Sequence, residues 1–152
     1  MSRYARAARA PGGAGLSGCS SFKLRQLSRR VSQIYDAELA RSGLKTTQYS
    51  LLSTVVRQGP LPPGRLAALL QMDASTLTRN LRPLIAQGWL RLGPGEDGRS
   101  RLVHATPAGV DKRAQAKCAW KRAQLGFNAR LGEPLVGRLH TLIDQCLEGL
   151  QE

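Results

Sequence analysis

The segment Pro62–Ala105, PPGRLAALLQMDASTLTRNLRPLIAQGWLRLGPGEDGRSRLVHA, leaves few ways for the chain to fold. It reads as two short helices joined by a tight turn, followed by a two-stranded hairpin with a basic tip. Pro62 and Pro63 suit a first helical turn, and Arg65–Gln71 offers Leu66, Leu69 and Leu70 for a core face. Met72-Asp73 supplies the turn, with Asp73 as N-cap of the next helix. There Leu77, Leu81, Leu84 and Ile85 form one apolar stripe, although Pro83 should bend the C-terminal half. Ser75, Thr76, Thr78, Arg79 and Arg82 lie on the opposite side, where a recognition helix carries the residues that enter a DNA groove. Short hydroxyls can bond phosphates or bases, and Arg can fork onto guanine O6 and N7. An ordinary solvated helix face explains the same residues.

After Gly88, Trp89–Leu92 reads as a strand, 93–98 as a turn, and Arg101–Ala105 as the returning strand. The tip presents Arg99 and Arg101 beside Asp97. An Arg on a thin ribbon can enter the electronegative minor groove. Asp97 repels phosphate, and its expected role is to hold Arg99 by a bidentate pair. A plain polar hairpin is the alternative.

Charge points the same way. Against 23 Lys+Arg stand 10 Asp+Glu, a formal net charge of +13, which favours a polyanionic partner unless it is mere compositional bias. No run of eighteen apolar residues spans a membrane, and the basic residues are spread along the chain, so a membrane partner is not expected. Three scattered cysteines suit a reducing cytoplasm. Two histidines without a C-x-x-C argue against structural zinc, and no cofactor is implied. Neither a nucleophile with a base, paired carboxylates nor a phosphate-cradling loop stands out, so the chain does not read as an enzyme.

The flanks read as helical. Residues 1–18, with Arg3, Arg6, Arg9 and several glycines, form an expected disordered basic arm; a transit-like leader or a DNA-seeking arm fits the same composition. From about Ser20 to Arg41, Leu24, Leu27, Val31, Ile34, Tyr35 and Leu39 mark a helix stopped by Gly43. Thr46 and Thr47 are expected to cap a second helix, which ends at Gly59-Pro60. Thr106-Pro107 opens a basic helix running towards Leu131, with Gly126 as a weak point. After the break at Gly132, Leu135, Leu139, Leu142, Ile143, Cys146, Leu147 and Leu150 line a last helix. That stripe suits a subunit interface, or packing onto the first helix of the same chain. Cys118 and Cys146 are expected to be buried small hydrophobes.

The order of elements, with Gly43–Tyr49, Asp73–Arg79, Gln87–Leu90, Asp97–Ser100 and Thr106–Gly109, resembles the MarR family of bacterial transcriptional regulators over about residues 20–150. The resemblance implies a mainly α fold with a small β-wing. This is a winged helix-turn-helix of six helices plus a two-stranded antiparallel hairpin, in an interlocked homodimer. It implies one domain over 19–152, with a DNA-binding lobe at about 46–105 and dimerisation helices at 19–45 and 106–152. Double-stranded DNA would be read at a pseudo-palindromic operator through Ser75, Thr76, Thr78, Arg79 and Arg82. Arg99 and Arg101 would act from the wing, supported by Asp97. Such proteins are mostly repressors, released by a small aromatic or phenolic effector or by thiol oxidation. Cys19, Tyr35 and Tyr49 are the candidate effector-pocket or redox-sensor residues. Peroxide-sensing members would place their cysteine nearer Ser21, about 200° round the helix from Cys19, so an inert thiol is the alternative. A non-specific DNA-packaging protein is the competing function.

Overall fold

A helix of 25 residues, about 37 Å long, forms the backbone of the computed structural model, which describes residues 18–150. The elements run α1 (Ser20–Leu39, continued by a 3-10 turn over Ala40–Ser42), α2 (Thr46–Gln58), α3 (Pro63–Leu69) and α4 (Ala74–Ala86). Then come β1 (Leu90–Pro94), β2 (Arg101–Ala105), α5 (Pro107–Leu131) and α6 (Glu133–Gly149). Six helices and one antiparallel hairpin match the expected architecture. The expected arm falls, as far as residue 17, outside the described residues. No helix among those described is long and apolar enough to cross a membrane.

Two clusters of buried side chains sit along α5. The larger joins Leu51, Leu52 and Val55 of α2, Leu66 of α3, Leu77, Leu81 and Leu84 of α4, and Leu90 and Val103 of the hairpin, against Ala116 and Ala119 of α5. The smaller joins Tyr35, Ala123, Phe127 and Val136 of α1, α5 and α6. Small residues on the inner face of α5 let the other helices approach its axis closely. In the hairpin, Leu90 pairs with Ala105, Leu92 with Val103 and Pro94 with Arg101. Leu61 adds a bridge to the far side of Val103: the Leu61 N–H donates to the Val103 carbonyl (3.2 Å), and the reverse bond is 2.8 Å. The wing is thereby pinned to the α2–α3 connection as well as to its own hairpin.

Caps explain the element ends. Thr106 Oγ1 accepts from the Gly109 N–H (3.0 Å) at the start of α5. Gly43 (φ 69°) closes the turn after α1 in the left-handed region. At α2 the expected threonine cap is not used. Lys45 takes the N-cap position, its N–H donating to Gln48 Oε1 (2.9 Å), while the Thr46 N–H and hydroxyl both donate to Asp36 of α1 (2.6 Å each). A carboxylate ten residues earlier offers a stronger acceptor than a neighbouring hydroxyl.

Other expectations shift. The first strand begins at Leu90 rather than Trp89 and takes Gly93 and Pro94 into the ladder, because the turn closes later, over 95–100. Leu69 is 46% exposed, since α3 is short and turns Leu66 and Ala67 inward instead. Cys118 and Cys146 are both exposed, on the outer side of α5 and on α6. The helices pass through Pro83 and Gly126 without a break. On α6, Val136 is buried and Leu139 partly so, whereas Leu135, Leu142, Ile143, Leu147 and Leu150 stay open. Packing within one chain therefore does not cover the terminal stripe. Phe22 and Leu24, early in α1, are uncovered too.

Candidate nucleic-acid interface

Helix α4 starts on a dense cap. Asp73 is extended (φ −71°, ψ 160°), and its carboxylate accepts from the Thr76 N–H (2.7 Å), the Ser75 hydroxyl (2.6 Å) and the Thr76 hydroxyl (2.7 Å). These bonds, the Ser75 hydroxyl first among them, hold the Asp73 carboxyl well below the usual carboxylate range. The three leucines on the opposite side bury α4 against α2 and the hairpin, so its exposed face is fixed in direction. That face presents Ser75, Thr78, Arg79 and Arg82, which line one open concavity of about 420 Å³. They stand at i, i+3, i+4 and i+7, one side of two helical turns. Thr76 does not join them. It is half-buried and spends its hydroxyl on Asp73, which makes it a residue that positions the helix start.

In the wing, Arg99 and Arg101 are exposed at the tip. Asp97 supports that tip differently from expectation. Its Oδ1 accepts from the Ser100 hydroxyl (2.7 Å), the Ser100 N–H (2.9 Å) and the Arg99 N–H (3.0 Å). These bonds, led by the Ser100 hydroxyl, hold its carboxyl below the usual range. No Asp97–Arg99 side-chain pair forms; among the described residues the ion pair within 4.0 Å is Arg122–Glu38 (3.2 Å). Two backbone N–H groups and one hydroxyl, all bonded to Asp97, fix the loop, and the Arg99 guanidinium takes no part in this pairing.

The three candidate sensor residues do not meet within one subunit. Cys19 is exposed at the N-cap of α1, sixteen residues and about 24 Å along the helix from Tyr35. Tyr35 is buried, its hydroxyl donating to Gln124 Oε1 (2.6 Å), and burial pushes its phenol pKa up. A neutral phenol already committed as a donor is poorly placed to stabilise a thiolate. Tyr49 instead stacks on Trp120 (centroids 6.0 Å apart). Around that pair lies a cleft of about 300 Å³ between α2 and α5, bordered by Ser53, Arg57, Arg113 and Lys117. Arg113 Nε donates to Ser53 Oγ (3.3 Å). Sequence reasoning found Tyr49 here but not the basic residues: Arg57 lies two turns further along α2, Arg113 and Lys117 more than sixty positions away on α5, and none carried a motif.

These features define a winged helix-turn-helix fold, with an outward basic face on α4 and a basic wing tip. The MarR family model matches residues 42–100. The uncharacterized HTH-type transcriptional regulator YwoH of Bacillus subtilis is 30% identical over 84 residues, which is 55% of this chain and 61% of that protein. The chain thus matches less than two thirds of that relative's length. Among solved structures, a probable transcriptional regulator from Pseudomonas aeruginosa is similar with a TM-score of 0.77 and 26% identity, over 84% of this chain and 96% of that one. The Mycobacterium tuberculosis transcriptional regulator MosR, solved in complex with DNA, is similar with a TM-score of 0.74 and 29% identity, over 89% and 100%. Over residues 42–100 the chain is similar to the MarR family.

Proposed function

We propose that this chain is a sequence-specific, duplex-DNA-binding transcriptional regulator of the cytoplasm that works as a homodimer. The observation that carries this reading is the α4 face, where Ser75, Thr78, Arg79 and Arg82 line a single concavity on a helix fixed by its buried side. α4 enters the major groove, and the wing Arg99 and Arg101 reach the flanking minor groove. The similarity to MosR, solved in complex with DNA, supports DNA as the partner. The uncovered stripe of α6, with the apolar start of α1, is the surface through which two copies join. The family likeness supports repression as the outcome.

Of the two modes of release, a small anionic aromatic effector fits better than thiol oxidation. The α2–α5 cleft offers Trp120 and Tyr49 for stacking beside Arg57, Arg113 and Lys117, whereas Cys19 has neither tyrosine beside it in its own subunit. The +13 charge alone would serve a DNA packager equally well. Competition at moderate salt between DNA flanking the chain's own gene and random duplex of equal length separates the two functions. Markedly tighter binding to the flanking DNA is expected; equal affinities would remove the specific-regulator reading.

A further inference from the structure

The hydroxyls on the reading face have already spent their protons. Thr78 Oγ1 donates to the Ala74 carbonyl (2.8 Å), and Ser75 Oγ donates to the Asp73 carboxylate (2.6 Å). The direction of both bonds is unambiguous, because a carbonyl and an ionised carboxylate only accept. A hydroxyl has one proton and two lone pairs. What Ser75 and Thr78 turn outward, therefore, is acceptor capacity alone. A phosphate oxygen is also an acceptor, so neither hydroxyl can bond the DNA backbone without breaking its internal bond. Asp73 adds a fixed negative charge beside Ser75, which further disfavours phosphate at that end of the helix.

We infer that Ser75 and Thr78 are base-reading residues that accept a hydrogen bond from an exocyclic amine, cytosine N4 or adenine N6, in the major groove. Thymine and guanine present acceptors at those places, and would face lone pair against lone pair. The neighbouring Arg79 and Arg82 have the opposite character, donors only, and select guanine O6 and N7. The α4 face is thus a mixed code: acceptors in its first two turns, then donors at i+4 and i+7 from Ser75. The predicted half-site places amine-bearing bases next to guanine contacts, on either strand of the groove. This rests on the proposal that α4 enters the major groove, and it deepens that proposal by naming what each side chain can tolerate opposite it.

The test is base selection from a random-sequence duplex library by the full chain and by Ser75→Ala, Thr78→Val, Thr78→Ser and Arg82→Ala. Valine keeps the branched shape of threonine without its hydroxyl. The wild-type chain should enrich a half-site containing guanine near cytosine or adenine. Thr78→Val and Ser75→Ala should each relax the preference for the amine-bearing base at one position by about two- to ten-fold, the worth of one net hydrogen bond. Thr78→Ser should restore it, and Arg82→Ala should relax a guanine position instead. If the hydroxyl variants leave base preferences intact and lower affinity for every duplex, with a shallower salt slope, the hydroxyls contact phosphate and the inference fails while the regulator reading stands. If the wild-type chain enriches no motif, both fail together.

Discussion

Leu142→Ala tests the proposal that two copies join through α6. Leu142 is 55% exposed in the single chain, at the centre of the α6 stripe. Full burial of a leucine contributes about 1.5–3 kcal/mol, so covering the exposed part would contribute about 0.8–1.7 kcal/mol. A twofold interface uses each residue twice. The dimer should therefore lose about 1.6–3.3 kcal/mol, and its dissociation constant should rise roughly 15- to 250-fold. Sedimentation equilibrium over a concentration series reads this directly. The side chain is largely open within the chain, so helicity and thermal unfolding of the dilute monomer should barely change. An unchanged dissociation constant in a well-folded variant would show that α6 is not the joining surface, and the dimer model would have to be rebuilt around another face.

Further outcomes follow from single sites. Asp97→Ala should loosen the wing tip, seen as faster amide exchange at Arg99 and Ser100, and lower DNA affinity; in an Arg99→Ala background it should add little. Because the Asp97 carboxyl is held below its ordinary 3.8, the order it gives is complete above that value and fades only as pH falls below it. Amide exchange at the tip, corrected for its intrinsic pH dependence, should thus show constant protection from pH 8 to about pH 5. Gly109→Ala would drive a Cβ into the Trp89 carbonyl at a buried position. It should lower Tm by about 3–10 °C by calorimetry, from about 1–3 kcal/mol of overpacking; an unchanged Tm would mean the α5–β1 junction yields freely. Cys19→Ser should bind DNA as the wild type does and leave any response to peroxide unaltered. Loss of a peroxide response in that variant would restore the thiol as sensor.

Much of this fold is readable because its signals are local. The α4 stripe of Leu77, Leu81 and Leu84 is a helical period, and Asp73, Thr106 and Gly43 are caps whose partners lie within a few residues. The misreadings share a cause, namely dependence on what lies opposite in space. Asp36 replaces a threonine cap from ten residues away, and that bond has no sequence pattern. Leu69 belongs to an apolar-looking window and Cys118 is of a commonly buried residue type, yet which side of a helix is covered depends on its neighbours. That Ser75, Thr78, Arg79 and Arg82 share an exposed face of α4 was legible from the apolar stripe opposite them. Thr76 was not separated from Ser75 and Thr78, because its half-burial and its bond to Asp73 Oδ2 depend on rotamers. Asp97 meets a different part of Arg99 from the expected guanidinium: its side chain accepts from backbone N–H groups two and three residues on. The Arg57–Arg113–Lys117 border of the cleft needed the α2–α5 packing to exist before it could be seen.

In the proposed complex, two copies present α4 and the wing to one duplex. Hydroxyl-radical footprinting of the full chain on a duplex it enriches from a random library would show this arrangement. Two protected segments about one helical turn apart, each flanked outward by minor-groove protection that disappears in Arg99→Ala, are expected. A single unbroken protection that lengthens with protein concentration, or flanks indifferent to Arg99, would contradict it.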